Sequence, residues 1–229
     1  MTARVKTVWN EVDVIVGYKT YIDLIRPYIT DQQIVSNGMR QEVDRCQEAI
    51  RLAAEGHSVA VVSSGDAGVY GMAGIMIECL EKDGLLDIPL EIVPGITAAT
   101  AAASMLGAPL MHDFAVISLS DLMTPWEVIE KRVRLAAEGD FILAIYNPKS
   151  KGRPLHIETV REILLRYRRP ETPVGLVREA LRGEESTVQM TTLGDFTNLS
   201  IDMLTTVIIG NSQTRMIGPY MVTPRGYML

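Results

Sequence analysis

Short apolar runs alternate with amphipathic segments along the first half of the chain. Residues 12–16 and residues 58–62 are almost continuously apolar, which is typical of strands that are buried on both faces of a sheet. Between them, residues 39–55 carry apolar side chains at helical spacing, and Gly56 follows where a left-handed C-cap is expected. Strands that alternate with helices predict βαβ units and a largely parallel sheet.

The alternation continues through the middle of the chain. It predicts helices over residues 70–82, 96–106 and 158–168, and strands over residues 90–93, 114–119, 141–146 and 174–177. A further helix is predicted to open at Thr124 as its N-cap. Pro125 suits the first helical position there, and Glu127 completes a capping box.

The last part of the chain has a different pattern. Residues 186–192 and 205–209 are rich in β-formers and have only short connections, which indicates antiparallel strands. We therefore predict an α/β fold with two lobes. Residues 1–109 form an N-terminal lobe around a parallel sheet, and residues 110–229 form a C-terminal lobe with a mixed sheet.

Composition and charge exclude several classes of protein. The hydrophobic share of 47% allows a buried core, and the net charge of −6 weighs against a general nucleic-acid binder. No apolar run reaches the roughly 18 residues of a membrane-spanning helix, and the first residues do not resemble a secretory signal. Cys46 and Cys79 are predicted to be buried free thiols, which fits the cytoplasm. The three histidines lack partners at ligand spacing, so no metal site is expected.

Four strand ends share small residues, glycine and side chains that form hydrogen bonds. They comprise residues 64–66, 94–98, 146–147 and 178–180. Each of them alone is also explained as an ordinary turn, a cap or a tightly packed helix. Because ligands bind beyond the carboxyl ends of strands in an open parallel sheet, the four together favour a ligand site. The chain contains no GxGxxG and no GxxxxGK[ST], so neither a dinucleotide fingerprint nor a P-loop is present.

Five longer motifs carry a resemblance to a known family. They are GYKTY at 17–21, SSGDAGVYGMAG at 63–74, VPGITAATAAASMLGAPL at 93–110, ISLSDLMTPWEVIEKR at 117–132 and AIYNPKS at 144–150. In these motifs, their order and their spacing, the chain resembles the precorrin-3B C17-methyltransferases of the tetrapyrrole methylase family, which include the cobalt-factor III methyltransferases. The resemblance extends from residue 12 to the C-terminus.

The resemblance implies an activity and a methyl donor. The expected reaction is transfer of a methyl group from S-adenosylmethionine to C17 of a precorrin-3B or cobalt-factor III macrocycle, with ring contraction, in cobalamin biosynthesis. A cytoplasmic homodimer is implied, with the donor bound between two lobes. The positions that match the family's donor contacts are Ser64, Gly65, Asp66, Val69, Thr97, Ala98, Asn147 and Ala180. Ser64 and Asn147 depart from the family, since relatives have glycine and methionine there.

The macrocycle implied by the resemblance carries acetate and propionate groups, which are best bound by charged donors. Candidates for this role are Lys19, Arg40, Lys149, Lys151 and Arg153. For residues 149–153 a solvated basic loop is the open alternative. No residue is assigned as general acid or base. His112 and His156 are predicted to be structural, with a catalytic role left open.

One departure concerns the start of the sequence. The family begins with a strand that runs into a GxGPG loop, whereas residues 2–10 here resemble the helix after that loop. Either the natural start lies upstream, which we favour, or the ligand is bound differently. A chain extended by that strand and loop is expected to melt at a higher temperature and to bind S-adenosylhomocysteine more tightly.

Two other functions remain open. One is methyl transfer by the same fold to a different substrate, and the other is binding of a ligand without catalysis. Measuring methyl transfer from a labelled donor to a precorrin-3-type substrate distinguishes an enzyme from a non-catalytic binding protein.

Overall fold

The computed structural model describes residues 1–38, 41–182 and 185–228. The chain divides into two compact units, Met1–Thr97 and Ala98–Leu229. Each unit has its own sheet and its own hydrophobic clusters.

The first unit is built on a parallel sheet. Its helices are α1 (Ala3–Val8), α2 (Lys19–Ile25), α3 (Glu42–Ala54) and α4 (Ala73–Lys82), and its strands are β1 (Val14–Tyr18), β2 (Gln33–Asn37) and β3 (Val59–Val62). The strand order is β2-β1-β3, and both pairings are parallel. The carboxyl ends of all three strands therefore lie along one edge.

Strand β1 is buried on both faces, which explains its continuous apolar run. Val14 and Val16 pack in a cluster with α3 and α4 residues such as Cys46 and Leu80. On the opposite face, Ile15 packs with Ile22 of α2 and with Trp9. Side chains alternate between the faces of a strand, so the central strand needs apolar residues at every position.

The strand predicted over residues 90–93 is wrong. Residues 89–97 form neither helix nor strand, and Leu90 and Ile92 are 44% and 43% exposed. Pro89 and Pro94 flank the segment, and neither can donate a ladder hydrogen bond. The segment contacts α1 instead, through the ion pair of Glu91 with Arg4.

The second unit contains the mixed sheet. Its helices are α5 (Ala98–Leu106), α6 (Trp126–Glu138) and α7 (His156–Leu164), and its strands are β4 (Gly107–Ala108), β5 (Phe114–Ser118), β6 (Ile142–Tyr146), β7 (Pro173–Arg178), β8 (Thr187–Thr192), β9 (Thr205–Ile209), β10 (Arg215–Ile217) and β11 (Tyr220–Val222). The large sheet has the order β5-β6-β9-β7-β8.

Strand β9 lies in the middle of this sheet and runs against both neighbours. It pairs antiparallel with β6 and with β7, while β5 pairs parallel with β6 and β8 pairs antiparallel with β7. The carboxyl ends of β5, β6 and β7 consequently lie along one edge. The predicted α/β fold with a parallel and a mixed sheet is confirmed, including the antiparallel strands β8 and β9.

Helix α5 packs on the large sheet of the second unit. Ala99, Ala102 and Leu106 share a cluster with residues of β6, β7 and β9. Gly175 of β7 admits this close approach, because an added Cβ there would lie 2.5 Å from Cδ1 of Leu106. The compact division at Thr97 therefore precedes α5, whereas the sequence placed the boundary after that helix, at residue 109.

Two local features differ from the sequence prediction. The N-cap of α6 is Pro125, in extended backbone, rather than Thr124. Because the helix begins at Trp126, Glu127 occupies the second helical position, one short of the capping-box position. The small sheet of β10, β11 and β4 was not predicted.

Among the described residues, no helix combines the length and the apolar character that crossing a membrane requires.

Candidate functional site

The chain makes a tight loop after β3, and Asp66 holds it in place. One oxygen of its carboxylate accepts a hydrogen bond from the N–H of Gly68 at 2.9 Å, and the other accepts one from the N–H of Gly95 at 2.8 Å. Gly95 is in direct backbone contact with this loop. An added Cβ there would overlap the carbonyl oxygen of Gly65 and lie 2.9 Å from its carbonyl carbon. The loop after β3 and the segment before α5 are therefore fixed to each other.

This arrangement leaves an exposed stretch of backbone beside Thr97. Gly65 is exposed and has a φ of +74°, the left-handed region that favours glycine. A Cβ added to Gly65 would lie 3.8 Å from Cα of Thr97, in ordinary contact. Val69 belongs to the same loop, where its N–H donates to the carbonyl of Asp66. The structure thus brings together the predicted donor contacts of the first unit, Ser64 included.

In the second unit, hydrogen bonds join the carboxyl ends of β5 and β6. Asn147 has a φ of +50°, and its Nδ2 donates to Oγ of Ser118 at 2.9 Å. The N–H of Leu119 donates to the carbonyl of Tyr146. The Tyr146 hydroxyl accepts a hydrogen bond from the N–H of Ala99 at 2.6 Å, which anchors the start of α5. The predicted contacts Asn147 and Ala98 therefore belong to one hydrogen-bonded region.

Ala180 lies at the third strand end of the same edge. Its neighbours Glu179 and Leu181 both have positive φ, at 51° and 57°, so the chain turns sharply after β7. Ala180 and Tyr146 pack against the same hydrophobic cluster. Ala180 therefore shares a hydrophobic cluster with Tyr146, which precedes Asn147 and holds the start of α5.

The basic loop after β6 presents its three cations differently. Residues 150–153 close a turn in which the N–H of Arg153 donates to the carbonyl of Ser150 at 3.0 Å. Lys151 is exposed and Lys149 is half-buried, and neither forms an ion pair with a described residue. Arg153 points inward, with only 11% of its side chain exposed.

The inward Arg153 belongs to a polar cluster with Asp121, His156 and Trp126. Its Nε lies 3.5 Å from one carboxylate oxygen of Asp121, and Nε2 of His156 lies 3.3 Å from the other. The His156 ring meets Trp126 edge-on, with centroids 4.0 Å apart. Asp121 and Trp126 come from the SLSDLMTPW motif, which was singled out without a role for either residue.

The remaining candidates are separate from these clusters. Lys19 is exposed at the start of α2 and pairs with no carboxylate of the described residues. Arg40 lies outside the described residues. His112 is exposed and lies 3.8 Å from its neighbour Asp113. Within residues 1–38, 41–182 and 185–228, no three histidine, cysteine or acidic side chains are grouped so that they could hold a metal ion.

The sequence reading missed Arg45. This residue is only 4% exposed, and its Nη2 donates to the carbonyl of Gly38 at 3.0 Å. Among the described residues, its Nε has no hydrogen-bond partner and no carboxylate pairs with it. The signal in the sequence was an arginine beside Cys46 on the apolar face of a helix, where charged residues are rarely buried unpaired.

Comparison with known proteins identifies a family. The family model described as "Tetrapyrrole (Corrin/Porphyrin) Methylases" matches residues 1–197.

Two relatives cover nearly the whole chain. A "Cobalt-factor III methyltransferase" from Priestia megaterium is 53% identical over 99% of this chain, which spans 42% of that relative's length. A "Probable cobalt-factor III C(17)-methyltransferase" from Salmonella typhimurium is 48% identical over the whole chain and 94% of its own length.

Solved structures agree with the fold. The crystal structure of the methyltransferase CobJ is 41% identical, with a TM-score of 0.91, covering 98% of this chain and 93% of that one. A uroporphyrin-III C-methyltransferase from Thermus thermophilus, complexed with S-adenosylhomocysteine, is 23% identical over 92% of this chain and 90% of its own, with a TM-score of 0.68. At that identity the second comparison supports the fold alone.

Proposed function

Because the chain belongs to the tetrapyrrole (corrin/porphyrin) methylases, we propose that it methylates C17 of a tetrapyrrole macrocycle. S-adenosylmethionine is the proposed donor, and the substrate is of the precorrin-3B or cobalt-factor III class. Relatives named as cobalt-factor III methyltransferases, at 48% and 53% identity, support the choice of substrate. Ring contraction accompanies the transfer in this proposal.

The residues of the strand ends suit a ligand that is held by backbone groups. S-adenosylmethionine carries its methyl group on a positively charged sulfur. The attacking carbon bonds to the methyl group in line with the sulfur, which is displaced, so positioning the two reactants is the main task of the protein. In the first unit, the exposed backbone at Gly65 beside Thr97 allows the close approach of a ligand. The proposed contacts there are Ser64, Gly65, Asp66, Val69 and Thr97, and those in the second unit are Ala98, Asn147 and Ala180.

Asp66 acts by holding the backbone around the donor. Both of its carboxylate oxygens already accept backbone hydrogen bonds, from Gly68 and from Gly95. Its side chain therefore keeps the Gly65 backbone and Thr97 in place, and the contact with the donor comes from the backbone beside it.

The macrocycle is an anionic substrate, and the unpaired lysines suit its carboxylates. Lys149 and Lys151 follow β6 at the edge where ligands bind in α/β sheets, and Lys19 follows β1. None of the three forms an ion pair with a described residue, so each is available to a carboxylate. Arg153 was predicted together with them, but its guanidinium is already engaged by Asp121.

One observation carries the proposal: Asp66 and Gly95 join the loop after β3 to the segment before α5. The chain that contains this contact is 48% identical to the probable cobalt-factor III C(17)-methyltransferase of Salmonella typhimurium. The direct test is transfer of a labelled methyl group to precorrin-3B and to cobalt-factor III, with the labelled carbon located by NMR. Label at C17 is expected. Transfer to another carbon would point to a different substrate, and donor binding without transfer would point to a non-catalytic protein.

The donor contacts are tested by calorimetry with S-adenosylhomocysteine. Gly65→Val places a β-branched side chain where φ is positive and is expected to abolish binding. Gly84→Val is the matched control, since Gly84 also has positive φ but lies after α4, with no atom within 4 Å of an added Cβ. Normal binding by Gly65→Val would show that the donor lies elsewhere.

The substrate contacts are tested with the double variant Lys149→Ala/Lys151→Ala. We expect its KM for the macrocycle to rise about tenfold, since partly exposed ion pairs contribute about 1 kcal/mol or less each. Donor affinity is expected to stay the same. The exposed Lys131→Ala on α6 serves as control. An unchanged KM would leave Lys149 and Lys151 as solvated surface residues.

The homodimer implied by the sequence resemblance is also a proposal. Sedimentation equilibrium of the purified chain tests it, and a monomer at micromolar concentration would contradict it.

A further inference from the structure

Arg153 connects two strand ends that the proposed reaction depends on. Its Nη1 donates to the carbonyl of Leu119 at 2.5 Å and to the carbonyl of Asn147 at 3.4 Å. Leu119 follows β5 and Asn147 follows β6. One guanidinium therefore spans the loops that leave two neighbouring strands of the large sheet.

Asp121 neutralises this guanidinium and orients it. The carboxylate lies between Nε of Arg153 at 3.5 Å and Nε2 of His156 at 3.3 Å. His156, at the first position of α7, rests edge-on against Trp126 at the start of α6. The cluster is thus anchored to two helices, and its four side chains fix the loop that Asp121 belongs to.

The low exposure of Arg153 and His156 indicates that they interact with other groups of the protein and little with solvent. Arg153 and His156 are 11% and 17% exposed, whereas Asp121 is 33% exposed. Hydrogen bonds of an ionised group are about twice as strong as neutral ones, and an ion that loses its partner in such a place is strongly destabilised. Nε and Nη1 of Arg153 are already engaged by Asp121 and by two backbone carbonyls, so a substrate carboxylate would have to displace one of these partners to reach either nitrogen.

Arg153 holds the Leu119 carbonyl most closely, and it also supports the turn at Asn147. Asn147 adopts a φ of +50°, which few residues other than glycine tolerate, although asparagine does so more readily than most. Its side chain is held by Ser118, and its carbonyl accepts from Arg153. Without Arg153, the Leu119 carbonyl loses its donor, and the longer contact to the Asn147 carbonyl is lost with it.

We infer that Arg153 is a positioning residue for methyl transfer and that it does not bind the macrocycle. Together with Asp121 it holds Asn147 and the loop after β5 in the geometry that the donor and the macrocycle require. This inference rests on the proposed function. It divides the basic loop between two roles, since Lys149 and Lys151 remain the substrate cations.

Steady-state kinetics separate positioning from substrate binding. Arg153→Met keeps an unbranched side chain and removes its donors. We expect kcat to fall about 10- to 100-fold, because a displacement near 1 Å at a reacting centre costs about that much. The KM for the macrocycle is expected to stay within about threefold. Arg134→Met is the matched control, because Arg134 on α6 is half exposed and its ion pair with Glu130 is of the weak surface kind.

A double-mutant cycle tests whether Arg153 acts with Asp121. Asp121→Asn is expected to lower kcat by a similar factor, and the double variant is expected to be no worse than either single variant. Arg153→Lys retains the charge and one donor nitrogen, so it is expected to recover part of kcat.

Fluorescence gives a readout that does not depend on the reaction. The chain has two tryptophans, so a Trp9→Phe background leaves Trp126 as the reporter beside His156. Quenching of Trp126 by acrylamide is expected to rise in Arg153→Met and Asp121→Asn, but not in Arg134→Met. If the parent protein transfers no methyl group, the proposed function fails while this test still applies.

Three results would overturn the inference. A rise of more than tenfold in macrocycle KM with unchanged kcat would make Arg153 a substrate ligand. Additive losses in the double variant would separate Arg153 from Asp121. Unchanged kcat and unchanged quenching would leave the residue with no positioning role.

Discussion

Replacing Gly95 with alanine adds one methyl group where two backbone segments touch. The new Cβ would overlap the carbonyl oxygen of Gly65 and lie 2.9 Å from its carbonyl carbon and 3.1 Å from Cα of Asp66. Non-bonded heavy atoms prefer separations of about 3.5–4.0 Å, so the segments must move apart by at least about 1 Å. Neither neighbour is a flexible side chain, so the backbone itself has to shift.

That shift removes the hydrogen bond between Gly95 and Asp66. Its present length is 2.8 Å, and an increase of roughly 1 Å takes it beyond the limit of about 3.2 Å. A hydrogen bond to a charged group contributes about 1.5–3 kcal/mol, and overpacking adds about 1–3 kcal/mol. We therefore expect Gly95→Ala to destabilise the first unit by about 2.5–6 kcal/mol. Donor affinity is expected to fall about 100-fold, because Gly65 and Thr97 no longer keep their spacing.

Urea unfolding and calorimetry with S-adenosylhomocysteine measure the two effects. Gly74→Ala is the matched control, because Gly74 lies in α4 with no atom within 4 Å of an added Cβ. Alanine in a helix is favoured over glycine by about 0.5–1 kcal/mol, so this variant should be slightly more stable and bind normally. If Gly95→Ala matches the control in both assays, the contact between the two segments is not tight and does not position the donor.

Three further predictions concern the cores. Burial raises the pKa of the Cys46 thiol to about 12, so at pH 8 it should react with a thiol reagent only after denaturation; rapid labelling of the native protein would contradict this. Gly175→Ala should lower the free energy of unfolding by about 1–3 kcal/mol through overlap with Leu106, and an unchanged urea midpoint would refute it. Arg168→Met leaves the carbonyls of Gly210 and Phe141 without their donor and should cost about 2–4 kcal/mol, unlike the exposed Arg169→Met; equal melting curves would show that water replaces the guanidinium.

The sequence predicts which segments are apolar enough to form strands better than it predicts how those strands pair. β1, β6 and β7 were found from apolar runs, because a strand buried on both faces requires such a run. β3 was found from a similar run, but the expectation that it is buried on both faces is wrong, since it lies at the edge of its sheet and its four residues are only partly buried. Residues 90–93 have the same apolar character but form no strand. The sequence could not show this, since a strand also needs a neighbour with free donors and acceptors. Pairing is a property of the whole sheet.

For the candidate site too, the sequence predicts the residue types but not the contacts of their side chains. Glycine and aspartate at a strand end indicated the loop of Gly65 and Asp66, but not that both Asp66 oxygens are occupied by backbone N–H groups. Lys149, Lys151 and Arg153 are alike in sequence, and only the turn at residues 150–153 directs Arg153 inward. Spacing along a chain gives the residue types of a site. The direction of each side chain depends on contacts with distant residues.

The position of β9 has a consequence for the synthesis of the protein. This strand, at Thr205–Ile209, separates β6 from β7, although both are translated long before it. Until it arrives, the facing edges of β6 and β7 offer unpaired donors and acceptors next to apolar side chains that are fully buried in the finished fold. The second unit must therefore assemble after most of its residues have left the ribosome, and a nascent chain halted shortly before Thr205 should depend on chaperones.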